Sequence, residues 1–288
     1  MVATIIYVYL GYLQGSLMLF DFHTHSYYSD GLLSPKELIR HAKDMGLSLI
    51  ALTDHDTTDG LEQAQVEAAK LKIKFIKGIE ISTFDYEHPS IHILGLDIKD
   101  LSVFENMQKQ NQESRKKRNL LILQKIKDLY GIEIDYNDLE KECKGTIGKG
   151  NISQYLTHHK YYPTYKDANA VVMQFKNLPC GIEVKKAIDL IHQAGGLAFL
   201  AHPHSLKLSN EDIEIKIKKL KNLGLDGVEY AHSKHTTEQT ELYKQIAIKL
   251  GLKLSAGSDF HGAYKKGVEL AYGKSEKPLG YEHLIDWL

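Results

Sequence analysis

The sequence predicts an α/β protein built around a barrel of mainly parallel strands, and three observations carry that expectation. Five short apolar runs, at residues 20–25, 49–55, 75–80, 197–202 and 253–261, each end in a histidine or a carboxylate. Ligand-type side chains at the C-terminal ends of buried strands gather at one mouth of a parallel barrel, where such barrels place their chemistry. Strand and helix patterns alternate from Met18 to about residue 99 and again from residue 182 to the C-terminus. Between these halves, at residues 100–181, nothing reads as a barrel strand, so this stretch is expected to be an inserted, mostly helical subdomain capping the mouth.

Taken in order, residues 1–17 are apolar and tyrosine-rich, with no Lys or Arg ahead of the apolar run. A secretory signal would carry that positive flank, and a membrane span needs ~20 apolar residues. Met18 stands directly before the first strand, so translation is expected to begin there, with 1–17 as an upstream extension; a weak anchor is the alternative. Ser34-Pro35-Lys36-Glu37 has the form of a capping box with proline in the first turn, and Gly46 stops the helix that follows. A second helix is expected from Thr58 to about Leu71, then strands at 75–81 and 91–96. The insertion opens with a long helix over about 103–130 and has a shorter one over 153–159. Val184, Ala187, Ile188 and Ile191 then share one helical face, and strands follow near 197–201, 227–230 and 253–256.

Composition sets limits. At 288 residues, 43% hydrophobic and 25% charged, the chain is an ordinary globular protein, and it has no repeat or low-complexity tract. A formal net charge of −1 excludes a global basic field for gripping long nucleic acid, so any attraction for phosphate must be local. Cys143 and Cys180 form no zinc-type motif, and two cysteines suit a reducing, cytoplasmic setting.

The strand-end residues read as a metal centre. His23 and His25, two apart on a strand, project from one face as two ligands of one ion should. Asp21, on that same face, is placed to accept the other ring N–H of a ligating histidine. Asp30 lies in a Ser-Asp-Gly turn, where Asp is also common for turn reasons. Asp54, Asp56 and Asp59 crowd the loop around His55 and would repel one another unless cations neutralise them. Glu80 ends an apolar strand, and a buried Glu is costly unless paired or coordinating. His92 reads as a ligand or a satisfied core histidine. His202-Pro203-His204 and Asp259-Phe260-His261 complete the set.

In order and in kind, Asp21-x-His23-x-His25, Thr53-Asp54-His55, Gly78-Ile79-Glu80, Ala201-His202-Pro203 and Gly257-Ser258-Asp259-Phe260-His261-Gly262 resemble the motifs of the PHP superfamily, the polymerase and histidinol phosphatase domains. The resemblance runs from about Met18 to the C-terminus. It implies a distorted (β/α)7 barrel holding two or three divalent ions, with His23, His25, Glu80 and Asp259 on one. Glu80, bridging, with His92 and His202 would hold a second, and Asp30, His55 and His261 a third. Six neutral imidazoles and three carboxylates around three such ions leave about +3, which suits a phosphate monoester. The ion is Zn, Mn or Fe by availability.

Residues 194–198, 227–230 and the insertion are similar to the branch of that family acting on nucleoside 3′,5′-bisphosphates, 5′-monophosphates or the 5′ end of short RNA. Arg115 and Arg118 match that branch's spaced arginines, while Gly148-Lys149-Gly150-Asn151 stands where it has Gly-Arg-Pro-His, so Lys149 keeps the charge but not the planar fork. Arg118 and Lys149 are the candidates for grasping a second phosphate. His204 is the first candidate for protonating the leaving oxygen, with His232 and His235 behind it. The expected activity is a metal-dependent phosphoesterase. A histidinol-phosphate phosphatase, or a non-catalytic module binding metal, is the alternative. An amidohydrolase-like barrel fits the motif order less well.

Overall fold

The computed structural model describes residues 19–175, 178, 180–265, 267–273, 278, 279 and 287. The segment 1–17 therefore lies outside the described residues.

Among the described residues, seven strands form the wall in chain order. These are β1 (Leu19–Asp21), β2 (Leu47–Leu52), β3 (Lys74–Phe84), β4 (Ile91–Leu96), β6 (Leu197–Leu200), β7 (Gly227–His232) and β8 (Lys253–Gly257), while the short β5 (Ile182–Glu183) pairs only with β3. Backbone bonds from Phe22 N–H to Ala256 O (3.0 Å), Asp259 N–H to His23 O (2.9 Å) and His25 N–H to Phe260 O (2.9 Å) bring the first strand against the last and close the barrel. The first strand is shorter than the sequence suggests. Beyond Asp21 the chain splits its bonds between two neighbours, Thr24 bridging Phe260 while its carbonyl accepts from Thr53 N–H (2.9 Å).

The barrel is distorted at β4, which is antiparallel to both β3 and β6 while the other pairings are parallel. No helix separates β3 from β4. The chain turns through residues 85–88, where the Asp85 carboxylate accepts from Glu87 N–H and His88 N–H, and returns with Glu80 opposite Leu94. A two-strand turn must be antiparallel, since parallel strands need a long crossover.

Helices α1 (Pro35–Asp44), α2 (Leu61–Leu71), α7 (Val184–Gln193), α8 (Asn210–Asn222) and α9 (Thr237–Leu250) cover the outside of the barrel. The capping box is present, with Ser34 Oγ accepting from Glu37 N–H and the Glu37 carboxylate accepting from Ser34 N–H. The second helix begins three residues later than Thr58, because Thr58 O first accepts from Leu61 N–H in a turn. Between β4 and β5 the described regular elements are all helical: α3 (Glu105–Tyr130), α4 (Tyr136–Glu142), α5 (Lys149–His158) and α6 (Tyr165–Val172), with short 3₁₀ turns at either end. They enclose their own apolar cluster around Ile122, Ile126, Leu139, Ile152, Leu156 and Val172. Burying side chains of this size stabilises by roughly 1.5–3 kcal/mol each. The start of α3 packs elsewhere, with Met107 in the main barrel core. Among the described residues no helix is long and apolar enough to cross a membrane, and both cysteines are free.

Candidate metal centre

Glu80, on the inner stretch of β3, is the hub. Its carboxylate is fully buried and faces five imidazoles: Oε2 lies 3.2 Å from His23 Nε2, 3.2 Å from His25 Nε2 and 3.1 Å from His55 Nδ1, and Oε1 lies 2.8 Å from both His92 Nδ1 and His202 Nε2. Beside it, Asp259 Oδ1 is 3.3 Å from His25 Nε2 and 3.7 Å from His23 Nε2. Asp30 Oδ1 is 3.0 Å from His261 Nε2. The fold thus brings together all nine ligand candidates from six strands and the loops that follow them. Ligand atoms cluster as His23, His25 and Asp259; as His23, Glu80 and His202; as His55, Glu80 and His92; and as His25, Asp30, His55 and His261. His25 thus stands within reach of the group holding Asp30, His55 and His261 as well as the group holding His23 and Asp259.

Electrostatics bind this cluster together. Burial alone would raise the Glu80 carboxyl, yet His55, His23 and His92 hold it well below the usual range. Burial likewise opposes ionisation of Asp30 and Asp259, but His261 and His55 beside the first, and Lys265 and His261 beside the second, keep both low. Burial drives His55, His92 and His261 down toward the neutral, ligating form. His25 goes the other way, to about 9, because Asp259 and Glu80 outweigh its burial.

Five of the buried ligand atoms, His23 Nε2, His25 Nε2, His55 Nδ1, Asp30 Oδ1 and Glu80 Oε2, have no hydrogen-bond partner. Buried polar atoms are almost always satisfied, and here the unsatisfied ones converge on one another. Imidazole and carboxylate donors at these spacings fit divalent cations of the Zn, Mn or Fe kind. The residues present fit the group.

The backbone is bent to the task. His202 and Asp259, both non-glycine, sit at φ 28° and 58°, conformations that persist only where the surroundings hold them. Gly257 ends β8 because a Cβ there would meet the His23 Cβ at 2.2 Å.

Several expectations are corrected. Asp21 does not hold a ligand's ring N–H. Its carboxylate accepts from the backbone N–H groups of His23 (3.1 Å), Ser258 (3.0 Å) and Ala271 (2.8 Å) and from the Ser258 hydroxyl, so it locks the β1 and β8 ends together. Burial raises it to about 6. The ring partner is Glu229 on β7, a residue that no local motif marks. Its Oε1 accepts from His23 Nδ1 (2.9 Å) and its Oε2 from His202 N–H (2.6 Å). The acidic loop around His55 is relieved by protein groups, including the Arg115 guanidinium, and needs no metal ion. Asp54 accepts from Ser26 N–H, Ser26 Oγ and Ser29 Oγ, while Asp56 is paired with Arg115 and accepts from Asn111 and Ser82 N–H.

The remaining candidates lie one step out. His204, His232 and His235 form a triangle, with ring centroids 5.0, 5.0 and 5.2 Å apart, that abuts the centre through His202. Lys234 N–H donates to His232 Nδ1, and burial keeps that ring neutral, so its proton is assigned to Nε2, 3.5 Å from Asp259 Oδ2. At that distance His232 Nε2 makes no hydrogen bond to the carboxylate. Arg118 is buried beside Arg115, and its Nε and Nη2 donate to Asn119 Oδ1. Burial, then repulsion from Arg115, lowers it to about 10. Lys149 opens α5, whose Gly150 presses on Asp30, a Cβ there falling 2.8 Å from Asp30 Oδ2.

Comparison with known proteins agrees with this geometry. The PHP domain model matches residues 21–269. A 5′-3′ exoribonuclease of Haemophilus influenzae is 32% identical over 253 residues, covering 84% of this chain and 89% of that protein. The 3′,5′-nucleoside bisphosphate phosphatase of Chromobacterium violaceum is 29% identical over 272 residues, covering 90% and 93%. A solved structure of an amidohydrolase from Chromobacterium violaceum, with sulfate bound and no metal, superposes with a TM-score of 0.78 at 27% identity, covering 93% of this chain and 92% of that one. Strand-end ligands, a distorted seven-stranded barrel and a match over most of the chain lead to one conclusion: the chain belongs to the PHP domain family of metal-dependent phosphoesterases.

Proposed function

We propose that this protein hydrolyses phosphate monoesters of small nucleotides, nucleoside 3′,5′-bisphosphates or 5′-monophosphates, or trims the 5′ end of short RNA. The observation that carries the reading is the convergence of five unsatisfied, buried ligand atoms on Glu80 and Asp30 at the barrel mouth. The nucleotide class is supported by what the Haemophilus and Chromobacterium relatives act on. His23, His25, Glu80 and Asp259, then Glu80 with His92 and His202, then Asp30, His55 and His261, would hold two or three divalent ions. Such ions, when bound, supply positive charge for phosphoryl oxygens and acidify water.

The chain's own residues do the rest. Glu229 fixes the His23 ring and the His202 backbone, and Lys265 donates to Asp259. Arg118, a buried guanidinium hydrogen-bonded to Asn119, attracts a phosphate electrostatically, and Lys149 at the start of α5 adds charge from the Asp30 side. His204, half-buried beside His202, is placed to give a proton to the leaving oxygen. The helices between β4 and β5 cap the mouth and exclude bulk water.

The test is phosphate release by the Mn2+-loaded protein from adenosine 3′,5′-bisphosphate, AMP, a short 5′-phosphorylated RNA and histidinol phosphate. Turnover of a nucleotide or the RNA, lost in His25→Ala, is expected. Turnover of histidinol phosphate alone would move the protein to a biosynthetic phosphatase, and silence with Mn2+, Zn2+ and Fe2+ would leave a binding module.

A further inference from the structure

Two tyrosines meet across the seam between the helical cap and the barrel. Tyr165 is the first residue of α6, whose start is fixed by the Thr164 hydroxyl accepting from Asp167 N–H. Tyr264 closes the 3₁₀ turn Gly262–Tyr264, three residues after His261. Their rings stack with centroids 6.0 Å apart and planes 27° from parallel. Both side chains are only half-buried, so the pair is not sealed into either core.

The pair also belongs to the flank of the metal centre. Burial, and then the carboxylates of Asp30 and Asp259, push the Tyr165 hydroxyl upward, so the phenol stays neutral within electrostatic reach of two ligand candidates. From the other side, Lys265, the residue after Tyr264, donates to Asp259 Oδ2 (2.7 Å). The rings therefore stand beside the Asp30, Asp259 and His261 edge of the mouth. An organic group that leaves the centre on that side passes them.

We propose that the Tyr165–Tyr264 pair is the platform on which the base of the substrate's first nucleotide stacks. This rests on the nucleotide reading of the site. A neutral aromatic face offers a base its largest sequence-independent attraction, and it adds nothing for a sugar phosphate that lacks a base. Placing one ring on the cap and the other on the barrel rim makes the platform complete only when the cap is seated. It would accept any base, as an enzyme acting on mixed nucleotides or RNA ends requires.

The experiment compares kcat and KM for AMP and ribose 5-phosphate in the Mn2+-loaded wild type, Tyr165→Ala, Tyr264→Ala, Tyr165→Phe and Tyr264→Phe. The quantity read is the ratio of the two KM values, which cancels any general damage to the fold or the metal centre. Removing either ring is expected to raise the AMP to ribose 5-phosphate ratio by ~5- to 150-fold, the range that base–aromatic stacking supports. The Phe variants should restore the wild-type ratio. A ratio that stays constant in the Ala variants, or Phe variants as impaired as Ala, overturns the platform while leaving nucleotide turnover standing. A wild type that turns over ribose 5-phosphate but not AMP, adenosine 3′,5′-bisphosphate or a short 5′-phosphorylated RNA overturns both.

Discussion

Glu229 shows how far single residues can be read from sequence. It stands in the run Gly227-Val228-Glu229-Tyr230, fully buried on β7, with the same signature that marked Glu80: a lone carboxylate inside an apolar strand. Glu80 was legible because its strand ended beside other ligand types. Glu229 was not, because nothing local says that its two oxygens reach β1 and the end of β6. Asp21 fails in the reverse sense, since its position two residues before His23 suggests a ring partner while its oxygens are consumed by backbone N–H groups. Partners that orient a ligand histidine are worth ~10- to 100-fold in metal affinity. Glu229→Gln, which keeps the shape but not the charge, is therefore expected to weaken metal binding by ~10-fold or more in a chelator competition assay. An affinity equal to wild type would remove Glu229 from the centre's support.

At the scale of elements, periodicity and caps carry helices further than strands. The box at Ser34 and the long helix ending at Gly131 are found as expected, because each is decided by residues within one turn. The antiparallel β4 is not, because its direction depends on the short turn at 85–88 and on pairing with β6, far along the chain. The contact between α3 and the barrel is equally non-local. Arg115 donates from Nε to Asp56 Oδ2 (2.7 Å) and from Nη2 to Ser82 Oγ (2.6 Å), while Asn111 Nδ2 donates to Asp56 Oδ1 (2.7 Å), all buried. Burial would lower the Arg115 pKa, but Asp56 raises it, so the guanidinium stays charged in the interior. Removing one partner strands the other without water. Arg115→Met should cost about 3–5 kcal/mol in chemical denaturation, and Asp56→Asn together with Arg115→Met should cost less than the two single changes summed. A single-variant loss below about 1 kcal/mol would mean that apolar packing alone holds α3 to the barrel.

For the whole molecule, the centre is also a structural clasp. Its candidate ligands come from the ends of β1, β2, β6 and β8 and from within β3 and β4, so ions held there would tie both halves of the barrel across its closure. Without them the described centre keeps five unsatisfied buried atoms. The order of five strands was legible because the apolar run of each leads to a ligand-type residue, whereas closure was not, because it depends on backbone bonds such as Asp259 N–H to His23 O. A ligand at 100 times its dissociation constant stabilises the native state by about 2.7 kcal/mol. In a chain of this size each kcal/mol moves Tm by roughly 2–4 °C. Stripping metal with a chelator is therefore expected to lower Tm by about 5–10 °C, reversibly on adding Mn2+. His92→Ala, at the half-buried edge of the Glu80 group, should shrink that shift while keeping part of it, because the group around Asp30 and His261 remains. A Tm indifferent to chelator in protein shown to carry metal would mean that the barrel closes without the ions, and that the ligands serve chemistry alone.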